Sequence, residues 1–247
     1  MRKGNDGVKR LRVAVLLWLL SAAAAFGGAP DAAPLDAVLA KRARGGGFDY
    51  AGATGQDKKR LAAYLANVGD ADTLGMTSEE RTAFLINAYN AWAIETLLEN
   101  PGRKITEIDG AFNKATHRVG REMLTLDQIE GRLRDTKDAR IHFAIVCASK
   151  SCPPLRTKAY TAAGLSDALD AQGRAFVGDP TKNVVDRASG RVALSMIFAW
   201  NRKEFERDGA LLRYVSRFVG DPATARWLAS RTQAPDFLPY DWSPNQP

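Results

Sequence analysis

The chain has 247 residues, 35 of them Lys or Arg and 28 Asp or Glu, for a formal net charge of +7, with only two cysteines and two histidines. A chain of that size buries one good core, and one domain is the expectation. The first 25 residues hold five of the basic residues and one acid; without them the balance is 30 against 27, a net +3, which removes the charge argument for nucleic-acid binding.

Residues 1–25 read as a secretory signal peptide. Arg2, Lys3, Lys9, Arg10 and Arg12 precede the apolar run 13–20, and small residues follow. That order gives a charged end, an inserted stretch and a small-residue cleavage site, with Ala23 and Ala25 placing the cut after Ala25. The run is too short for a retained anchor, which needs about 20 apolar residues. No stable membrane insertion is expected after cleavage, and the implied location is periplasmic or secreted.

Residues 26–56 read as an N-terminal arm, with a helix-like stretch at 35–44 followed by three glycines. Residues 57–247 read as a single domain. In it, Leu61, Tyr64, Leu65 and Val68 recur at helical spacing. Thr77 and Glu80 form a capping box ahead of "RTAFLINAYNAWAIETLL", a helix apolar on nearly every side and therefore buried. "THRVGREMLTL" predicts a hairpin turning at Gly120-Arg121, with glycine first. Thr125 and Gln128 make a second capping box, opening "LDQIEGRLR". "ARIHFAIVC" predicts a strand, with a buried helix as the alternative for so short an apolar run. A helix over 165–177, a hairpin in "NVVDRASGRVAL", three helical segments and a closing strand in "DFLPYDW" complete the chain. Without a regular βαβ alternation the expected class is α+β: a long buried central helix, a small antiparallel sheet and a helical C-terminal third.

The chemistry concentrates in "HFAIVCASKSCPPL", residues 142–155. Cys147 and Cys152 are spaced C-x4-C, and only His117 and His142 are there to complete a metal set, so neither a metal nor a cofactor is expected. Export permits a disulfide. Three states stay open for the pair: a nucleophilic Cys147, a disulfide, or inert thiols. On a strand His142 faces away from Cys147, because side chains alternate; a direct dyad needs a bulge, whereas His117 on the neighbouring hairpin escapes that constraint. Either histidine has the alternative of a hydrogen-bonded structural role. Glu130 shares a helical face with Leu126, Ile129 and Leu133, so its carboxylate turns toward the core margin. There it either orients a histidine or pairs with Arg134 at i+4. Asn87 and Asn90 sit inside the buried helix, where their amides need partners. They tie down loop backbone or, for Asn87, hold a substrate oxyanion.

Four blocks, "INAYNAWAI", "LTLDQIEGRLR", "RIHFAIVCASKSCPPLRTKAY" and "LSMIFAWNRKEF", occur in that order and spacing. Together they resemble the family called domain of unknown function 547, strongly over about residues 75–206, with the tail to Trp242 in keeping. The resemblance implies that Asn87, Tyr89, Asn90, Glu130, His142, Cys147 and Pro153 stand at recurrent positions. It transfers no activity, because the family carries none that is established. The last block departs from the family pattern, having Asn201 where an aromatic residue follows the tryptophan.

Two functional readings follow. In one, the protein is a thiol hydrolase or transferase of the cell envelope acting on amide or peptide bonds. Cys147 attacks, His142 or His117 is the base, Glu130 orients it and Asn87 or backbone N–H groups hold the oxyanion. The amide chemistry rests on a layout that resembles papain-like and transglutaminase-like folds. In the other, it is a non-catalytic periplasmic binding or interaction domain with a disulfide-stapled loop. The partner in either case is a small molecule or peptide.

Overall fold

The computed structural model describes residues 28–247; the expected signal segment lies outside them. The first helix, α1 (Ala33–Arg42), is followed by a two-residue hairpin, β1 (Ala43–Arg44) and β2 (Gly47–Phe48). Two longer helices come next, α2 (Gly55–Asp70) and α3 (Ser78–Glu99), each opened by a threonine capping box. The hairpin β3 (His117–Val119) and β4 (Glu122–Leu124) leads into α4 (Leu126–Arg134), again behind a capping box at Thr125 and Gln128. After α5 (Leu165–Val177), strands β5 (Val184–Asp186) and β6 (Arg191–Ser195) form a third hairpin. The last third holds α6 (Met196–Trp200), α7 (Arg202–Phe205), α8 (Leu211–Ser216), α9 (Pro222–Ser230) and β7 (Asp236–Leu238).

The class is α+β, with α3 as its central helix. Its middle is buried, Phe84, Ile86, Ala88, Tyr89, Ala91 and Ile94 among the core residues, while Ser78, Glu79, Arg81 and Glu99 at its ends are exposed. Trp92, the expected core tryptophan, is only partly buried and stacks on His117 with ring centroids 4.5 Å apart. The sheets are small and mostly antiparallel; in the three-stranded one, β6 is central, with β5 antiparallel and β7 parallel to it.

The turn at Gly120-Arg121 has positive φ at both residues, +58° and +68°, the conformation in which a two-residue turn follows the twist of its strands. Glycine is needed at the first position for a further reason: a Cβ there would stand 2.7 Å from the Thr73 methyl.

The apolar side chains gather in two clusters. One is built by α1 to α4. The other is built by α5, β6 and the C-terminal helices around Phe143, Phe176, Phe198, Phe205 and Phe218. Residues 139–147 run along the seam: Ala139 and Phe143 belong to the second cluster, Ile141, Ile145 and Val146 to the first.

The expected strand "ARIHFAIVC" is not formed. Ala139–Phe143 is a 3-10 helix, and a turn at Ala144 and a stretch without regular structure follow it to Cys147. Among the described residues no strand pairs with it; a helix side chain takes the backbone instead. Asn90 Nδ2 donates to the Ala144 carbonyl at 2.9 Å, and the Val146 N–H donates to Asn90 Oδ1 at 2.8 Å. A single amide side chain thereby does what a paired strand would do for a buried backbone.

Candidate functional site

At this seam lies a cavity of about 380 Å³. Three groups of side chains face it. From α4 come Asp127, Glu130 and Arg134, which share one helical face at spacings of three and four. From the seam come His142, Ile145, Cys147 and Cys152. The third group is aromatic. Trp200, at the end of α6, lies 4.8 Å from Tyr240 and 5.7 Å from Trp242, and Phe112 meets Trp242 at 6.4 Å. Trp200 remains 50% exposed, which puts an apolar ring at the mouth.

His142 is buried and held among charges. Its Nε2 lies 2.7 Å from Glu204 Oε2, and its Nδ1 lies 3.7 Å from Glu130 Oε1. Arg134 spans both carboxylates, at 2.6 Å to Glu130 and 3.2 Å to Glu204. A further bond of 3.0 Å runs from Arg134 Nη2 to Asn201 Oδ1. Burial works to raise the Glu204 carboxyl, but the His142 hydrogen bond and the nearby guanidinium outweigh it and hold the group below its usual range. Of the two alternatives for Glu130 the structure forms the ion pair with Arg134; at 3.7 Å Glu130 makes no hydrogen bond to His142, whose partner is Glu204.

Cys147 and Cys152 form a disulfide, with Cα atoms 6.4 Å apart. The two sulfurs differ in setting. Cys147 is partly exposed on the cavity, whereas Cys152 is 3% exposed. Cys152 Sγ accepts from the Cys147 N–H at 3.0 Å and lies 3.3 Å from both Ser149 Oγ and Tyr240 Oη. Ser149 donates to Tyr240 at 3.0 Å. Burial pushes the Tyr240 phenol up to about 12, against the opposing Ser149 bond, so it stays protonated as a donor.

The loop between the cysteines is tied down by the chain end. The Lys150 N–H donates to the Ser243 carbonyl at 2.7 Å, Ser151 to Asp241 at 3.2 Å, and Asn245 donates to the Ala148 carbonyl at 3.0 Å. Asn245 also accepts at its carbonyl from the Phe48 N–H at 3.0 Å, fastening the β1–β2 hairpin to the same segment. Gly47 is required there, since a Cβ would run into the Asn245 carbonyl.

The sequence-predicted residues divide accordingly. Cys147, His142 and Glu130 meet in one cavity. The separation of His142 from Cys147 by strand alternation does not hold, because the 3-10 turn replaces the strand; even so, no hydrogen bond links the two side chains among the described residues. His117 stands outside the cavity lining, its Nε2 buried without a partner and its pKa lowered by burial. Asn87 is also outside it, both amide atoms engaged by the Tyr160 backbone at 2.8 Å. Neither is placed for the role of base or oxyanion donor.

Sequence reasoning missed Glu204, Trp200, Tyr240, Trp242 and Ser149 as site residues. Glu204 follows Asn201 at i+3 in the last family-like block, the one signal pointing to it. Asn201 is the anchor for Arg134.

Residues 73–177 match the model of the family described as protein of unknown function, DUF547, which bears out the resemblance carried by the sequence blocks. That stretch supplies α3, α4, the seam and both cysteines; Glu204 and three of the aromatic residues come from beyond it. No curated protein and no solved structure matches the chain. Among the described residues no helix is long and apolar enough to cross a membrane.

Proposed function

We propose that this chain is an exported cell-envelope protein whose cavity works, once Cys147 is reduced, as a thiol hydrolase or transferase on amide or peptide bonds. The observation that supports it is the shared cavity: Cys147 and His142 line one space, and His142 is held from behind by Glu204 at 2.7 Å. A thiol becomes a nucleophile when a base or a positive group lowers its pKa. In the tautomer that gives Nε2–H to Glu204, His142 keeps Nδ1 as the acceptor. Water in the cavity would carry the proton between Cys147 and that nitrogen. Glu204 and Arg134 then act as positioning residues. The Tyr240 hydroxyl, 3.4 Å from Cys147 Sγ, replaces Asn87 as the donor for a developing oxyanion.

The reading as a non-catalytic binding or interaction domain draws on a different observation, the closed disulfide and the backbone bonds that staple its loop to the chain end. Alkylation separates the two. The reduced protein is titrated with iodoacetamide across pH. The enzyme reading expects Cys147 to react with a midpoint well below the ordinary thiol value of about 8.5, and His142→Gln to raise that midpoint by about a unit or more. Reaction only above about pH 8, unchanged by the substitution, leaves the binding reading in place.

A further inference from the structure

The disulfide is asymmetric in a way that structural staples do not require. Both sulfurs line the cavity and both lie within reach of the Ser149 hydroxyl, at 3.1 Å from Cys147 Sγ and 3.3 Å from Cys152 Sγ, and of the Tyr240 hydroxyl, at 3.4 and 3.3 Å; only Cys152 Sγ also accepts an amide, the Cys147 N–H at 3.0 Å, and Cys152 is buried where Cys147 is partly exposed. The two hydroxyls bond to each other, so at least one of their protons is free to turn toward sulfur whichever way that bond points. The amide, whose direction is fixed, is therefore committed to Cys152, the two hydroxyls are shared between the sulfurs, and Cys147 is the more exposed of the pair, the one a solute reaches more easily.

We infer that Cys147–Cys152 is an exchangeable disulfide, opened by a small thiol that enters the aromatic cavity and attacks Cys147, with Cys152 as the leaving sulfur. The incoming thiolate forms a bond to Cys147 Sγ as the Cys147–Cys152 bond breaks. The electron pair goes to Cys152, whose thiolate is held by the amide and hydroxyl donors and then takes a proton from solvent. A second thiol attacks the mixed disulfide, is joined to the first, and leaves Cys147 as a free thiol. Two thiols are oxidised to one disulfide and the protein pair is reduced by two electrons. Exchange is faster when the leaving thiolate is the more stable one, and access decides which sulfur is attacked.

The cavity also selects the thiol. In its lining Asp127 and Glu130 set two carboxylates against the one guanidinium of Arg134, and Asp127 has neither an ion pair nor a side-chain hydrogen bond among the described residues. His142 is matched by Glu204 behind it at 2.7 Å, so the imidazole does not cancel that negative excess. Beside it stand the faces of Trp200, Tyr240 and Trp242, which attract cations. A thiol that carries an ammonium group fits this setting, and one that carries an anion does not. The inference does not depend on amide chemistry; it concerns the two sulfurs alone.

The test uses the oxidised, folded chain with cysteamine, 2-mercaptoethanol and 2-mercaptoethanesulfonate, each rate being divided by that of a linear peptide disulfide. Acid-quenched samples are mapped by mass. The expected product is a mixed disulfide on Cys147 with Cys152 alkylatable. Cysteamine should lead mercaptoethanesulfonate by on the order of tenfold, and the gap should close in high salt. Ser149→Ala should slow opening by on the order of tenfold. Should that variant fail to fold, Tyr240→Phe, which keeps the ring, gives the same readout. Adducts on Cys152, or a bond that opens only in denaturant, would overturn the proposal. Loss of amide activity with normal exchange would count against the enzyme reading alone.

Discussion

Ala148, the residue after Cys147, has φ of +61°, a left-handed conformation that is costly for a residue with a Cβ. It is buried, and its carbonyl accepts from Asn245. Such conformations persist only where the surroundings over-determine them. Here the surroundings are the disulfide on one side and the chain end on the other. A β-branched residue at 148 should be far worse than alanine. Ala148→Val is expected to destabilise the protein by about 1–3 kcal/mol, while Ala148→Gly, which enters this region without strain, stays within about 1 kcal/mol of the parent. Urea melts of the three proteins check both. Equal losses in Val and Gly would show that packing, and not backbone conformation, sets the tolerance. The same loop presents Cys147 to the cavity, so residue-scale strain and the chemistry of the site share one segment.

At the scale of elements, the exchange of a strand for a side-chain clamp is the main departure from the sequence pattern. Residues 139–147 have the apolar, β-branched composition of a buried strand. The composition reports burial on all sides, and a seam between two cores supplies that as well as a sheet does. Asn90 makes the arrangement possible by meeting one donor and one acceptor of the buried backbone. Asn90→Ala leaves the Val146 N–H and the Ala144 carbonyl without those partners. Each unmet buried group costs about 1–3 kcal/mol, so the variant should lose roughly 2–4 kcal/mol in urea unfolding. It should also loosen the disulfide loop, seen as faster amide exchange at Ala148 and Ser149. A loss below about 1 kcal/mol would mean that another group satisfies this backbone. The capping boxes at Thr77 and Thr125 and the hairpin turn at Gly120 were legible because each depends on residues within a few positions. The clamp was not, since Asn90 and Val146 are 56 positions apart and nothing local joins them.

For the whole molecule, the N-terminal hairpin, the disulfide loop and the chain end are fastened to one another. Asp57 is the charged centre of the arm's contact with the body. It accepts from the Arg42 Nε at 2.8 Å and from both the amide and the hydroxyl of Thr54, and it is 1% exposed. Burial acts to raise its carboxyl, but the Thr54 hydrogen bonds and Arg42 overcome this and depress it well below the ordinary range. A carboxyl whose folded pKa lies below the unfolded one stabilises the fold above the unfolded value, and that stability is lost as pH falls. Stability should therefore decline as the medium is acidified below about pH 4, the unfolded carboxylate value, and go on declining toward the depressed folded pKa. Asp57→Asn should be less stable at neutral pH and show a flatter acid limb in urea midpoints taken across pH. An acid limb of unchanged slope would remove Asp57 from that account.

The sequence by itself determined the class of the fold, the helices with their caps, two of the hairpins and a family resemblance that the family model matches over residues 73–177. It also singled out Cys147, His142 and Glu130, because an inward carboxylate and a cysteine-rich turn are readable from periodicity and spacing. These properties are local, or depend on a pattern that repeats along one element. Tertiary structure alone decided the rest. It joined the cysteines, gave His142 to Glu204, set Asn87 and His117 outside the cavity, and carried Trp200, Tyr240 and Trp242 to its rim. Those contacts cross long stretches of chain and form only when two separate apolar clusters pack along one seam. No sequence interval encodes which side chains that seam will bring face to face.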